Sequence, residues 1–318
     1  MPRTIAAALA LAFVLAGCAK DDEPPGTARS ADPSPSATAV SPQPTVSATA
    51  SASGLSPELA GKAEQAAEDY RDYVAAQVDD TIAATEELVA ALKTGAPATA
   101  RLRYGPSRFG WETIEPVAAT VPGLADRVDV AEEDAKAGDV NTGVGVTSTA
   151  SPAPAVWGGW HRIEKALYAD KSVRGMPDIG DQLLRDLESL RTAVPRLDIT
   201  AATMAAAAVA FAAAMDDKLG GEEERYSHTD LVGLKGNLDG ATRVFELLEP
   251  IVDARDAALA DDLDSALVSI EDALSELEDG DSFVAWGGEK VTSKQRSALN
   301  KAVTAYAEAV SDLPAAVS

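Results

Sequence analysis

The chain has one cysteine, two histidines and an aromatic content of 5% in 318 residues. A single cysteine excludes an internal disulfide, so packing alone must hold the fold. Basic residues are scarce as well. Against 51 Asp and Glu stand 27 Lys and Arg, a net charge of −24 with a pI near 4.4. Such a balance argues against nucleic acid and against direct adhesion to anionic lipid, because both partners repel an acidic surface. Most of these acids read as solvated helix faces. No alternating run of β-branched residues predicts a sheet, and beyond the first residues no apolar run is long enough to cross a bilayer.

What is present begins with an address. Arg3 precedes an apolar stretch from Ile5 to Ala16, too short to span a membrane as a helix. It ends at Leu15-Ala16-Gly17-Cys18, which looks like the lipobox of a bacterial lipoprotein. The expectation is a signal peptide over 1–18, lipidation of Cys18 and anchoring of the protein to the membrane outside the cytoplasm. Residues 19–56, dominated by Pro, Ser, Ala and Thr, bury too little apolar surface to fold and read as a tether. Its mean reach is on the order of 35 Å.

From Pro57 onward the pattern is helical and rich in alanine and leucine. Ser56-Pro57-Glu58 reads as a helix start, with a capping serine, proline in the first turn and an acid favoured by the dipole. Leu59, Ala63, Ala66, Tyr70, Val74, Val78, Ile82, Thr85, Leu88 and Leu92 then recur at three- and four-residue steps. That spacing predicts one amphipathic helix as far as Gly95, about 55 Å long. A second helix is expected from Pro97 to Glu115, interrupted near Gly105-Pro106 and closed by Pro116. Residues 117–156 read as mixed, and helical periodicity returns over 156–168, 178–194, 200–219, 228–249, 253–277 and 292–313. Short connections predict an all-α antiparallel bundle, drawn as two four-helix bundles over 57–195 and 196–318. Trp157-Gly158-Gly159 recurs as Trp286-Gly287-Gly288, an echo that points to pseudo-duplication of the two halves.

The candidate chemistry centres on His161 and Glu164, which share a helix face at i, i+3. An isolated HxxE pair is a weak signal. The flanking Trp157, Gly158, Gly159 and Trp160 strengthen it, because they predict a tightly packed helix start. Glu112 and Glu115 repeat the spacing beside Trp111. If the two helices face each other, one nitrogen and several carboxylates converge, as bundle metal sites are built. Such a set suits iron, manganese or zinc and offers copper(I) no soft ligand. Asp129, Glu132 and Glu133 add further acids. His228 reads first as part of a helix start capped by Ser227 or Thr229, and second as a cation site with Glu223 and Asp230.

Several longer motifs occur in order along the folded region. They are Tyr104-Gly105-Pro106-Ser107-Arg108, Glu112-Thr113-Ile114-Glu115-Pro116 and Trp160-His161-Arg162-Ile163-Glu164-Lys165-Ala166-Leu167. Glu223-Glu224-Arg225-Tyr226-Ser227-His228-Thr229-Asp230-Leu231 and Asn237-Leu238-Asp239-Gly240-Ala241 follow. With these motifs the chain resembles the imelysin-like EfeO/EfeM family of the Efe iron-uptake system. The resemblance implies an all-helical fold and an HxxE metal site at His161 and Glu164, with Glu112 and Glu115 as acidic partners. It also implies iron as the ion, ferrous or ferric, and two partners: a membrane iron permease and a haem peroxidase. Two departures stand out. No cupredoxin domain is encoded, so this reads as the short form, and Ala131 stands where the family pattern implies arginine. The alternative is a metal-dependent peptidase of the imelysin class, although the HExxH pattern of many zinc peptidases is absent.

Overall fold

The side chain of Ser56 accepts a hydrogen bond from the Leu59 amide, and Pro57 occupies the first turn. From this cap α1 (Pro57–Lys93) runs unbroken for 37 residues. In a computed structural model that describes residues 54–137, 157–221 and 223–318, the helical expectation holds. The signal peptide, Cys18, nearly all of the tether and the segment 138–156 lie outside the described residues. Next come α2 (Pro97–Glu112), the short α3 (Glu115–Ala118), α4 (Ala125–Val128) and α5 (Glu132–Ala137). After them follow α6 (Gly159–Tyr168), α7 (Met176–Ala193) with a closing 3-10 turn, α8 (Ala201–Gly220) and α9 (Asp230–Arg255). The chain ends with α10 (Ala257–Ser275), α11 (Ser293–Val310) and α12 (Leu313–Ala316). One small antiparallel hairpin, Glu278–Asp279 with Ser282–Phe283, is the exception among the described residues to the all-α pattern.

Helix α1 packs along α2 and α7, and α6 rests on α2 and α7. Helices α8 and α10 each pack against α9 and α11. The contact of α2 with α9 joins these groups, and one hydrophobic core runs through both. Trp111, Trp160 and Tyr104 are among the largest fully buried side chains of that core, and Trp111 and Tyr104 lie on α2. None of the described helices is long and apolar enough to cross a membrane.

Two expectations about α2 need correction. The helix is not interrupted at Gly105-Pro106. Pro106 lies on an exposed face, as does Leu102, whose carbonyl loses its helical donor, so water can satisfy the freed group. Nor does the helix reach Glu115. It ends at Glu112, Ile114 leaves helical geometry at φ −132°, and Pro116 stands in the first turn of α3 instead of closing α2. The two Trp-Gly-Gly segments also do different local work. Gly159 begins α6, whereas its counterpart Gly288 lies in a bend ahead of α11.

Candidate metal centre

The end of α2 supplies the first pair. Arg108 and Glu112 sit four residues apart on one face, and both are buried. The Arg108 guanidinium donates to four carboxylates. Its Nη2 reaches Glu112 Oε1 at 2.5 Å and Glu223 Oε1 at 2.9 Å, its Nε lies 2.9 Å from Glu224 Oε1, and its Nη1 pairs with Asp129. The fork fits this task because it presents five donors in fixed directions. Its other face lies 5.7 Å from the Trp160 ring. Lys218, buried at the end of α8, bridges Glu112 Oε2 at 3.0 Å and Glu223 Oε2 at 2.7 Å.

The start of α6 supplies the histidine. Gly159 takes a left-handed φ of +70°, and a Cβ there would lie 2.3 Å from the Val128 carbonyl oxygen. Only glycine permits that approach, and it brings His161 into the cluster two residues later. His161 Nδ1 lies 3.4 Å from Glu164 Oε2, and Nε2 lies 3.3 Å from Asp129 Oδ1. Glu164 in turn accepts the amides of Tyr226 at 2.8 Å and Ser227 at 2.7 Å through Oε1. Asp129, at the end of α4, accepts the Trp111 indole N–H at 2.7 Å.

The turn between α8 and α9 completes the set. Ligand atoms of His161, Glu223 and Glu224 lie within 4.8 Å of one another, close enough for one ion to touch all three. Glu224 is buried and accepts the hydroxyls of Ser227 at 2.8 Å and Thr229 at 3.2 Å.

The electrostatics follow from crowding acids in a dry interior. Burial pushes the Glu224 carboxyl up to about 7, against the pull of Arg108. Burial and Arg108 both oppose the charged form of His161. The hydrogen bonds to Asp129 and Glu164 outweigh them and raise the imidazole to about 10. Asp129, although buried, is held well below the carboxylate range by Arg108 and His161. Glu112 is lowered despite its burial by Lys218 and Arg108.

His161 and Glu164 therefore meet as their spacing predicts, and Asp129 joins them. Glu112 lies across the Arg108 fork and is engaged by Arg108, Lys218 and Asn237. Glu115 starts a separate helix and is only half-buried at the edge, where desolvation pushes its carboxyl up to about 8. Glu132 and Glu133 lie outside the inner group. The Tyr226 hydroxyl donates to Glu132, and Arg225 pairs with Glu133. His228 is exposed, with its amide donating to the Glu224 carbonyl at 2.8 Å. Asp230 is buried and accepts the Glu224 amide at 3.2 Å, so it braces the turn.

Sequence reasoning passed over Arg108, Lys218 and Glu224. Arg108 carried a readable signal, the i, i+4 spacing to Glu112. Lys218 carried none, since its partners are distant in sequence or on the next turn.

The family model described as imelysin, of peptidase group M75, matches residues 66–313, a span that contains every residue of this cluster. A Staphylococcus aureus (strain MSSA476) protein named as an Efem/EfeO family lipoprotein is 32% identical over 266 residues, covering 82% of this chain and 86% of the relative. The chain belongs to the imelysin-like EfeM/EfeO family. A Staphylococcus haemolyticus (strain JCSC1435) relative of the same name is 31% identical over 252 residues, covering 79% of this chain and 83% of its own length. In this EfeM/EfeO protein Arg108, Glu112, His161, Glu164, Glu223 and Glu224 meet at the junction of α2, α6 and the 223–229 turn.

Proposed function

We propose that this EfeM/EfeO protein is a lipid-anchored, extracytoplasmic iron carrier of an Efe-type uptake system. Iron is its cargo, ferrous or ferric, and a membrane permease receives it, with a haem peroxidase acting in the same system. The relatives named as lipoproteins and the lipobox at Cys18 support the anchor.

One observation carries the metal reading. Among the described residues of the cluster, five carboxylates, Glu112, Asp129, Glu164, Glu223 and Glu224, face three bases, Arg108, Lys218 and the His161 imidazole. Uncompensated charge in an interior is costly, and a multivalent cation offsets it. Glu223 and Glu224 offer oxygen donors, and His161 offers a nitrogen once an entering cation displaces its proton, with Glu164 and Asp129 beside them. A set of oxygens with one imidazole nitrogen suits iron, and also zinc or manganese.

Calorimetric titration with ferrous salt, ferric citrate, zinc and manganese tests the proposal. Iron is expected to bind, and His161→Ala to weaken it by more than about tenfold. Equal iron affinity in the two proteins would remove His161 from the site. Casein hydrolysis that disappears in the same variant would favour the peptidase reading instead.

A further inference from the structure

The candidate centre is largely covered, and the cover is tied to its ligands. Above His161 lies a pocket lined by Ala131, Glu132, Trp157, Glu223 and Tyr226, with free volume of about 10 Å³. That is room for about one water molecule. A bare ion fits at such a place, but a hydrated one cannot pass. Glu223 stays partly exposed at its mouth, so the pocket opens to solvent narrowly, between α5 and the 223–229 turn.

The turn does three things at once. It carries Glu223 and Glu224. Its Tyr226 and Ser227 amides hold Glu164 at 2.8 and 2.7 Å. Its outer side chains grip α5, Tyr226 on Glu132 and Arg225 on Glu133, while Lys136 steadies Glu132 at 2.7 Å. One residue, Tyr226, takes part in both the inner clamp and the outer tie.

We propose that Tyr226 is a positioning residue that latches α5 over the centre, so that opening the cover and loosening Glu164 are a single movement. The proposal rests on the metal-carrier reading for its consequence and on the described contacts for its geometry. Metal enters and leaves when the Tyr226–Glu132 bond breaks. The acceptor is a carboxylate, so the bond is stronger than a neutral one and its loss is felt as a rate.

Tyr226→Phe keeps the ring and the amide and deletes the latch. In the metal-free protein, hydrogen–deuterium exchange over 131–137 and 223–229 is expected to speed up several-fold in the variant. In stopped-flow with ferric citrate as the probe and an excess of chelator for release, both capture and release are expected to accelerate, release by about tenfold. The dissociation constant should then change less than the release rate. Glu132→Ala removes the same bond from the other side and should reproduce both effects.

Unchanged exchange in both variants would overturn the latch, whatever the metal results. Faster release with unaltered capture would overturn it too, since Tyr226 would then prop a ligand and gate nothing. A wild-type protein that binds no iron yet shows the exchange difference would overturn the carrier reading and leave the latch standing.

Discussion

Arg108 is the residue on which the centre turns. It neutralises parts of four carboxylates while buried. Removing one partner of a buried ion pair leaves the others uncompensated, so Arg108→Met should destabilise the metal-free protein by about 3–5 kcal/mol in urea denaturation. The cluster also sets a pH dependence. The His161 imidazole, raised from 6.5 to about 10, holds a proton in the folded chain that the unfolded chain releases across that interval. Its contribution to stability is complete below the lower value and lost as pH rises through the upper one. Glu224, raised from 4.5 to about 7, acts in the same direction over its own interval. Glu112, Asp129 and Glu164, all lowered, act oppositely and lose their contribution as pH falls below the carboxylate range. Calorimetric unfolding of the metal-free protein should therefore peak at mildly acid pH and decline towards pH 10, and His161→Gln should flatten the alkaline decline.

At the scale of elements, the approach of α9 to the end of α2 decides where Glu112 stands. A Cβ at Gly236 would lie 2.6 Å from Glu112 Cβ and 3.0 Å from the Phe109 carbonyl oxygen. Gly236→Ala should therefore destabilise by about 1–3 kcal/mol through overpacking. Gly105 lies in α2 with its would-be Cβ at an ordinary 3.7 Å from the Val232 methyls. Gly105→Ala should stabilise by about 0.5–1 kcal/mol, because alanine loses less conformational freedom in a helix. Denaturant midpoints of the two variants, moving in opposite directions, check both. The amphipathic helices themselves were legible, since the apolar spacing read along α1 from Ala66 to Leu92 falls on residues that it buries. The ends of α2 and α3 were not. Pro116 reads equally as the stop of one helix or the first turn of the next, and only packing of Ile114 and Val117 into the core chooses.

For the whole molecule, the proposed iron binding links to folding by mass action. A ligand that binds only the folded state at a hundred times its dissociation constant stabilises by about 2.7 kcal/mol, and iron should raise the unfolding temperature accordingly. A tenfold loss of affinity in His161→Ala should cut that gain to about 1.4 kcal/mol, and the temperature shift with it. The proposed anchor makes its own prediction at this scale: Cys18→Ser should move the protein from the membrane fraction to the soluble one.

The sequence by itself determined the helical class, because 3.6-residue periodicity and capping signals are local. It determined the family as well, because long motifs survive in order along the chain. It paired His161 with Glu164, since three residues on a helix form a fixed local geometry. Tertiary structure alone decided the rest of the centre. Arg108 meets Glu223 and Glu224 across more than a hundred residues, and Lys218 meets Glu112 from another helix. Glu115, one turn from Glu112 in the linear reading, is displaced by a break in the backbone at Ile114. Long-range ion pairs have no spacing to read. They form where packing of the core happens to bring helix ends together, and there desolvation makes every charge answer to its neighbours.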